Sequence, residues 1–405
     1  MKHLIIGSGP AGLSAAATLR QADPSALVTI LSKEAVNPYA KMALPYLLAG
    51  RMDEKAIFLR PPEGVELLLG EEAVRIAPAR REVETGSGRV FAFDRLLIAT
   101  GGTPEKPKIE GGELPFVFTV RDLPDIVRMR ARLKGKTGRA VISGAGPVGM
   151  ETGDALKELG MDLTFVVGSN RVFSTMLDGP AAERVVGILR SQGIEILTGD
   201  QIVRIRESGE VLLKSGLSRA CDLVVFGKGV KPTLSCLAGS GIAVQEGIVV
   251  DERQETAVPG VFAAGDAVQS RDVVYGEGRV NALWPVAVEQ GRVAALNMAG
   301  VPASYPGSLS RNILRVFGLS IFTAGAGREE KGYEVRRLEG PDFHRKIVLD
   351  KGVLKGLIFI GEARNEGLYT ALIRQGVDVS PFAGSLLRAG YGYCRHLARV
   401  TKRGD

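Results

Sequence analysis

The chain has few of the residues from which disulfide frameworks and metal centres are built. Only three cysteines, Cys221, Cys236 and Cys394, occur among 405 residues, far apart and without CxxC spacing. This pattern excludes a disulfide scaffold, a zinc ribbon and an iron–sulfur cluster of the four-cysteine ferredoxin type. We therefore predict a protein without a metal site, in the reducing environment of the cytoplasm.

Long apolar runs are missing as well. No stretch of eighteen apolar residues occurs, and no cleavable apolar segment follows Met1, so we expect no membrane span. Glycine is abundant, with 52 residues, or roughly 13% against about 7% in average proteins. Such an excess indicates tight turns and close approach of the backbone to a ligand. The length and the 45% hydrophobic content suit a globular protein with two or three cores.

The net charge of +7 is unevenly distributed. Residues 306–405 contain 17 Lys and Arg against 10 Asp and Glu, so the preceding three quarters of the chain balance to zero. This surplus either faces an acidic partner or forms an ordinary solvated surface. No nucleic-acid-binding motif accompanies it, so we do not expect nucleic acid as the partner.

A glycine turn follows the first apolar segment. Residues 2–6 predict a strand and residues 13–20 a helix. The turn between them is Gly7, Ser8, Gly9, Pro10, Ala11 and Gly12. In such a turn the first glycine permits a sharp reversal, the second lets the backbone touch a pyrophosphate, and the third lets helix pack on strand. Glu34, after a second predicted strand, is placed to bind a ribose hydroxyl. Taken alone, the turn could also be a packing feature.

A second copy of the motif makes packing an insufficient explanation. A strand over residues 140–143 leads into the turn, a helix extends to about Leu159, and a strand follows over residues 163–167. The second turn contains Gly144, Gly146, Pro147, Val148, Gly149 and the acid Glu151. Two nucleotide sites in one chain indicate hydride transfer between the two nucleotides.

Two further strands break into glycine turns. The residues at these turns are Ala99, Thr100, Gly101, Gly265 and Asp266. With these motifs the whole chain resembles the FAD-dependent pyridine nucleotide-disulfide oxidoreductase superfamily. The resemblance implies that the first glycine turn holds FAD, with Glu34 on the adenosine ribose and Asp266 near the ribityl-pyrophosphate region, and that the second turn holds a nicotinamide nucleotide. Asp266 could equally be a plain helix cap.

The segment over residues 37–50 resembles that of NADH oxidases and coenzyme A-disulfide reductases, but Met42 stands at the position of their cysteine. A thioether cannot form a thiolate, a mixed disulfide or a sulfenic acid. The CxxxxC pair of related enzymes is absent, and the three histidines offer no C-terminal His-Glu dyad. We predict that thiol chemistry plays no part, although Met42 could also simply fill the core.

Three further assignments come from the same resemblance. Trp284 and Pro285 resemble the helix start of nitrite reductase-, rubredoxin reductase- and ferredoxin reductase-like flavoproteins, and that helix would point at the flavin pyrimidine ring. Lys41 and Glu151 are predicted as a charged pair near the isoalloxazine and nicotinamide. The alternatives are a solvated loop lysine and an acid favoured by its helix start.

The sequence contains little that distinguishes NAD(H) from NADP(H) as the preferred nucleotide. Val167 and Gly168 occupy the positions where a carboxylate would select NAD, and Arg171 could meet a 2′-phosphate, although a surface arginine is the commoner explanation. We expect NAD(H) from the resemblance, with NADP(H) not excluded.

The predicted fold class is α/β, with two doubly wound three-layer dinucleotide-binding domains and a C-terminal α+β interface domain. The expected segments are 1–110 and 235–305 for FAD, 111–234 for NAD(H) and 306–405 for the interface domain. Within the last segment we expect strands over residues 346–349 and 354–360, and helices over 368–375 and 385–396. This basic segment is expected to dock a partner, its own copy in a homodimer, or subunits of a hetero-oligomeric complex.

The function predicted from these features is electron exchange between NAD(H) and an iron–sulfur protein or subunit through FAD. The resemblance extends to the NAD-linked flavoprotein subunits of phenylglyoxylate and tungsten aldehyde oxidoreductase complexes. One alternative is a stand-alone NADH oxidase or an NADH-rubredoxin or NADH-ferredoxin reductase. Another is a non-enzymatic flavoprotein that responds to nicotinamide. The direction of electron flow stays open.

Overall fold

A computed structural model describes residues 1–362, 364–388, 391 and 392. The chain divides into two compact units. Unit 1 consists of Met1–Ala43, Met52–Pro104 and Val230–Leu309. Unit 2 consists of Leu44–Arg51, Glu105–Gly229 and the described residues from Ser310 onwards.

The helices and strands are numbered along the chain. The helices are α1 (Pro10–Ala22), α2 (Leu44–Leu48), α3 (Glu54–Ile57), α4 (Leu123–Leu133), α5 (Pro147–Glu158), α6 (Gly179–Ser191), α7 (Trp284–Met298), α8 (Glu366–Gln375) and α9 (Ala383–Leu386). The first strands are β1 (Lys2–Ile6), β2 (Leu27–Ser32), β3 (Val65–Leu69), β4 (Ala73–Ala77), β5 (Glu82–Thr85), β6 (Val90–Ala92), β7 (Arg95–Ile98), β8 (Gly102–Pro104) and β9 (Val117–Thr119). The next are β10 (Gly138–Ser143), β11 (Met161–Val167), β12 (Glu195–Thr198), β13 (Ile202–Arg206), β14 (Glu210–Leu213), β15 (Ser218–Ala220), β16 (Leu223–Phe226), β17 (Val230–Pro232) and β18 (Ile248–Val249). The last are β19 (Val261–Ala263), β20 (Val268–Arg271), β21 (Gly278–Arg279), β22 (Arg311–Val316), β23 (Leu319–Gly325), β24 (Glu334–Gly340), β25 (Phe343–Asp350) and β26 (Val353–Ile360).

Unit 1 is built on a five-stranded parallel sheet in the order β19–β7–β1–β2–β3. Successive side chains of a strand point to opposite faces, and both faces are covered here. Ile5 and Leu97 pack with residues of α1 and α7, whereas Leu4 and Ile6 pack on the side of the antiparallel sheet β4–β5–β6. Helices, parallel sheet and antiparallel sheet form three layers.

Unit 2 repeats this arrangement. Its parallel sheet has the order β12–β11–β10–β16–β9, and α5 and α6 pack against its strands. The antiparallel sheet β13–β14–β15 covers the other face, with Val141, Val166 and Val211 in the core between the two sheets. The predicted fold class with two dinucleotide-binding folds is confirmed.

The C-terminal part of unit 2 forms an antiparallel sheet in the order β22–β23–β26–β25–β24. Helix α8 packs on β23 and β26, where Phe322, Phe359 and Tyr369 meet edge to face. The predicted strands correspond to β25 and β26 and the predicted helix over 368–375 to α8. The predicted helix over 385–396 matches α9 at its first two residues and is wrong at residues 387 and 388, because α9 ends at Leu386 and a turn follows. Residues 389, 390 and 393–396 lie outside the described residues.

Unit 2 differs from the predicted segments in what it brings together. It contains residues 111–229 of the predicted NAD(H) segment and the predicted interface segment from residue 310 onwards, whereas residues 230–234 and 306–309 belong to unit 1. Residues 44–51, which the sequence assigns to the first FAD segment, also belong to it, because α2 packs against α4 and α5. Such long-range packing leaves no local signal in the sequence.

A buried ion pair joins the two parts of unit 2. The side chain of Lys346 on β25 is fully buried, and its Nζ lies 2.8 Å from Asp178 Oδ2 and 3.0 Å from Glu330 Oε1. The other carboxylate oxygen of Asp178 accepts a hydrogen bond from the backbone N–H of Ala181 and thereby caps α6. The C-terminal sheet therefore contacts the start of a helix in the nucleotide-binding fold.

Among the described residues, no helix is long and apolar enough to cross a membrane. Within the same residues, no group of three or more His, Cys, Asp or Glu side chains could hold a metal ion.

Candidate functional site

The outer glycines of the first turn are required by packing. Gly7 has a φ of 110°, and a Cβ there would lie 2.1 Å from the Ala99 carbonyl oxygen. A Cβ on Gly12 would lie 2.0 Å from the Gly7 carbonyl oxygen. These contacts hold β1, β7 and α1 together, so any larger residue would push the elements apart.

The middle glycine, Gly9, is not required by packing within the protein. Its φ is −76°, which any residue adopts, and a Cβ there would meet no protein atom within 4 Å. Gly9 is also the N-cap of α1, which begins with Pro10 and has no side-chain cap. No side chain caps the first backbone N–H groups of α1, and a Cβ on Gly9 would meet open space. This arrangement suits a pyrophosphate at the positive end of a helix.

The Gly265–Asp266 motif lies against the same turn. Gly265 follows β19 with a φ of 84°, and a Cβ there would lie 3.2 Å from the Cβ of Ala11. The fully buried side chain of Gln290 accepts a hydrogen bond from the Gly265 N–H at 2.8 Å. Asp266 is half-buried. Unit 1 thus brings both predicted FAD motifs to one place.

Sequence reasoning missed two residues that build this contact. Gln290 Nε2 also donates to Ser270 Oγ at 2.9 Å, which fixes the orientation of the amide. A Cβ on Gly291 would lie 2.2 Å from the Ala11 carbonyl oxygen, so this glycine allows α7 to touch α1. The available signal was a glycine inside the helix that begins at Trp284.

Two more predicted residue groups border the FAD motifs. The Ala99 N–H donates to the Ile6 carbonyl at 2.8 Å, and the Thr100 hydroxyl donates to the Thr233 carbonyl at 2.8 Å. Gly101 follows with a φ of 70°. Helix α7 begins with half-buried Trp284 and exposed Pro285 and, like α1, has no side-chain cap.

Glu34 and Lys41 form one cluster. Lys41 Nζ lies 2.7 Å from Glu34 Oε1, and the Tyr39 hydroxyl donates to Glu34 Oε2 at 2.5 Å. The sequence assigns Glu34 to the adenosine ribose and Lys41 to the isoalloxazine, at opposite ends of FAD. The structure thus brings together two side chains that the sequence places apart.

Met42, next to this cluster in the chain, is 61% exposed. The interpretation of Met42 as core filler is therefore wrong.

The second turn repeats the geometry of the first. Gly144 has a φ of 109°, and a Cβ there would lie 2.4 Å from the Gly227 carbonyl oxygen. A Cβ on Gly149 would lie 2.2 Å from the Gly144 carbonyl oxygen. Gly146, with a φ of −85°, again has open space beside it. Helix α5 starts there with Pro147 and the partly exposed Val148, without a side-chain cap.

Glu151 is the fifth residue of α5 and is half-buried. Burial, and secondly the nearby carboxylate of Asp154, raises the pKa of Glu151 to about 7. Asp154 itself accepts a hydrogen bond from Arg51, which also pairs with Glu158. Stabilisation of acids by a helix N-terminus fades beyond the first turn and lowers a pKa. The helix-start explanation of Glu151 therefore does not fit.

The end of β11, where nicotinamide preference is decided, carries no acid. Val167 is buried there, and no residue at positions 168–171 has a carboxylate. Arg171 donates to the Ser174 carbonyl at 3.4 Å, and its Nε has no hydrogen-bond partner among the described residues. The choice between NAD(H) and NADP(H) has no further structural marker at this strand end.

Two glycine turns, each opening an uncapped helix beside a parallel sheet, define an oxidoreductase that binds two dinucleotides. The family model described as pyridine nucleotide-disulphide oxidoreductase matches residues 1–291, and the chain belongs to this family. Its cofactors are FAD and a nicotinamide dinucleotide.

Known relatives align with most or nearly all of the chain. It is 31% identical to the NADH-dependent phenylglyoxylate dehydrogenase subunit epsilon of Aromatoleum evansii, over 99% of this chain and 98% of that one. It is 29% identical to an NADH oxidase of Methanocaldococcus jannaschii, over 80% of this chain and 76% of the relative.

Solved structures agree with this fold. An NAD-dependent persulfide reductase from A. fulgidus superposes with a TM-score of 0.88 at 27% identity, covering 95% of this chain and 78% of that chain. The NADH:rubredoxin oxidoreductase of Clostridium acetobutylicum superposes with a TM-score of 0.78 at 26% identity, covering 94% and 97%.

Proposed function

We propose that this NAD(H)-dependent flavoprotein exchanges electrons with an iron–sulfur protein or subunit and uses no redox-active cysteine. The observation that carries the proposal is Met42, which is 61% exposed where the resemblance places a cysteine. A thioether cannot relay electrons as a disulfide or sulfenic acid does. Electrons would therefore pass between FAD and an acceptor or donor outside the chain without a thiol relay. The rubredoxin oxidoreductase and the dehydrogenase subunit among the similar proteins support such an acceptor.

The described cysteines do not replace the missing thiol. Cys221 and Cys236 are buried and unpaired, and burial raises the pKa of each thiol to about 11. A thiol with such a pKa is almost wholly protonated at neutral pH and is a poor nucleophile. Cys394 lies outside the described residues. Reduced, buried thiols also suit the cytoplasmic location that we propose.

Bound FAD supplies the redox chemistry, because a flavin accepts a hydride and can release single electrons. The residues around Gly9 would hold its pyrophosphate with the N–H groups of α1, and Asp266 would bind near the ribityl chain. The N-terminus of α7, at Trp284 and Pro285, would favour negative charge on the flavin ring. The segments 1–110 and 235–305 would accordingly form the FAD-binding domain and 111–234 the NAD(H)-binding domain.

In this proposal Lys41 holds Glu34 rather than pairing with Glu151. Lys41 and Tyr39 each occupy one carboxylate oxygen of Glu34. A carboxylate has about four lone-pair sites, so Glu34 can still accept hydrogen bonds from a ribose. Lys41 keeps the carboxylate ionised and oriented for that contact.

Glu151 is proposed as the acid beside the nicotinamide. Its ionised form would stabilise the positive charge that develops on a nicotinamide when a hydride leaves. Because its pKa is about 7, both protonation states are populated at neutral pH.

A basic helix surface supports an acidic partner. Residues 121–139 contain seven Lys and Arg against two Asp and Glu. Helix α4 buries an apolar face and exposes the other, and the loop after it is exposed too. We call the exposed cations the α4 basic surface: Arg128, Arg130, Arg132, Lys134 and Lys136. Among described residues, no ion pair neutralises Arg130, Lys134 or Lys136, and opposite charge speeds and orients protein association.

Anaerobic reduction of purified iron–sulfur proteins tests the proposal. The holo-protein with NADH is offered a rubredoxin or a ferredoxin without oxygen and, in a separate assay, dioxygen alone, and the rate on each is measured. We expect reduction of an iron–sulfur protein to be at least tenfold faster than oxygen consumption at equal concentrations. Faster oxygen consumption would identify a stand-alone NADH oxidase. Negligible turnover on every acceptor, with a flavin that NADH does reduce, would favour a non-enzymatic role.

A further inference from the structure

Lys228 lies at the edge of the second nucleotide turn. Strand β16 ends at Phe226, opposite Ser143 of β10, and the Gly227 N–H donates to the Ser143 carbonyl at 2.9 Å. A Cβ on Gly227 would lie 2.8 Å from the Gly149 Cα. The chain therefore passes directly against the glycine turn, and Lys228 is the first residue beyond that contact.

This place is where an open parallel sheet binds its ligand. Strands β11 and β12 extend the sheet on one side of β10, and β16 and β9 extend it on the other. Connections that leave in opposite directions open a crevice at the carboxyl ends of the two central strands. Gly144 opens one side of this crevice and Lys228 the other.

The side chain of Lys228 is half-buried and, among the described residues, makes no hydrogen bond or ion pair. Burial lowers its pKa. Lys346, the fully buried lysine of the same unit, has two carboxylate partners. Removing an ammonium group from water without a partner is costly, so an anion from a ligand is the natural complement of Lys228.

We propose that the Lys228 ammonium binds a phosphate oxygen of the nicotinamide dinucleotide at the second glycine turn. The N-terminus of α5 offers backbone N–H groups and a partial charge, whereas Lys228 adds a full charge and a charge-assisted hydrogen bond. Lys228 is thus a binding residue that fixes where the dinucleotide lies along the turn. The inference rests on the proposed binding of NAD(H) at Gly144, Gly146 and Gly149.

Ligand affinity of the flavin-loaded protein tests this inference. Dissociation constants for NADH, ADP-ribose and adenosine are measured by anaerobic calorimetry, with the flavin already reduced so that NADH cannot react. The samples are the wild type, Lys228→Met, Lys228→Arg and the control Lys214→Met, an exposed lysine of unit 2. We expect Lys228→Met to weaken NADH and ADP-ribose equally, by about tenfold or more, and to leave adenosine unchanged. Lys228→Arg should lose less, and Lys214→Met nothing.

A second measurement needs no variant. A lysine whose pKa is lowered reacts readily with an amine-acylating reagent, and mass spectrometry reports the modified Lys228 peptide. ADP-ribose should protect Lys228 from acylation, and adenosine should not.

Unchanged ADP-ribose affinity in Lys228→Met, or acylation that ADP-ribose does not slow, would overturn the inference. A loss restricted to NADH would do so too, because it would assign Lys228 to the nicotinamide end. A wild type that binds neither NADH nor ADP-ribose would instead contradict the proposed function.

Discussion

At the scale of single residues, changes at Gly9 and Gly146 test cofactor binding without disturbing the fold. Neither glycine is required by its φ, and a Cβ on either would meet no protein atom. We predict that Gly9→Val folds but retains less than a tenth of its FAD, because the side chain occupies the space of the pyrophosphate. The measurement is the flavin absorbance per chain after gel filtration.

Gly146→Val is the matched control for that prediction. It should retain FAD and lose NADH affinity by at least tenfold, since the same change is made in the other turn. Full FAD occupancy in Gly9→Val would show that the flavin site is misplaced.

Glu151 gives the second prediction at this scale. Its pKa of about 7 means that the carboxylate forms as the pH rises from 6 to 8. We predict that the rate constant of flavin reduction by NADH rises over that range, followed by stopped-flow absorbance. Glu151→Gln should be slower by about tenfold at pH 8, since misplacing or uncharging a group beside the reacting atoms has effects of this size, and its rate should be flat with pH.

The free energy of unfolding should change with pH in the opposite direction to the rate, and should fall as Glu151 loses its proton. A carboxyl whose pKa is raised by folding stabilises the folded state fully below its unfolded pKa, and this contribution is lost as the pH rises through about 7. Glu151→Gln should lack this part of the pH dependence in denaturant unfolding. A variant whose rate and stability follow the wild-type pH profiles would show that Glu151 has no role at the site.

At the scale of elements, the ion pair between β25 and the start of α6 makes a stability prediction. Lys346 is fully buried against Asp178. Removing one partner of a buried pair leaves an uncompensated charge and costs about 3–5 kcal/mol, so Lys346→Met should lower the free energy of unfolding by about 3 kcal/mol. Denaturant unfolding of the apo-protein measures this change. Lys355→Met, outside this ion pair, is the control, and a loss below about 0.5 kcal/mol in Lys346→Met would contradict the assignment.

The α4 basic surface gives the second prediction at this scale. Changing Arg130, Lys134 and Lys136 together to Glu should slow reduction of an acidic iron–sulfur partner at least tenfold at low salt and leave dye reduction by NADH unchanged. Rising salt should slow the wild type likewise, because exposed charges are screened over about 8 Å at physiological ionic strength.

The comparison variant reverses Arg395, Arg399, Lys402 and Arg403 in the basic C-terminal segment, which lie outside the described residues. A loss in that variant alone would place docking at the C-terminus. If neither reversal nor salt affects partner reduction, both basic stretches are solvated surfaces.

Local rules explain which elements the sequence predicts well. Strand β1 has the predicted bounds, and both glycine turns open helices as expected, because turn, strand and helix signals lie within a few residues of each other. The packing of α2 in unit 2 and the role of Gln290 depend on contacts between distant residues. The α4 basic surface was hidden because acidic residues elsewhere balance it in the overall count.

At the scale of the whole molecule, the family and its cofactors follow from four motifs that the sequence displays openly. The acceptor of the electrons does not, because it depends on one missing thiol and on a surface rather than on a motif. Glu34 and Lys41 illustrate the limit, since the sequence assigns them to opposite ends of FAD while their side chains form an ion pair. Contacts between side chains show which groups lie together, and the spacing of residues in the sequence does not.

The number of electrons that the holo-protein accepts tests the central claim most directly. An anaerobic titration with dithionite counts electrons per bound FAD, before and after the NADH-reduced protein has been alkylated at its cysteines under native conditions and its flavin re-oxidised. A flavin takes up two electrons, and a redox-active disulfide or sulfenic acid would take up two more. The thiol-free account predicts two electrons per FAD in both samples. Uptake of four electrons per FAD, falling to two after alkylation, would contradict it.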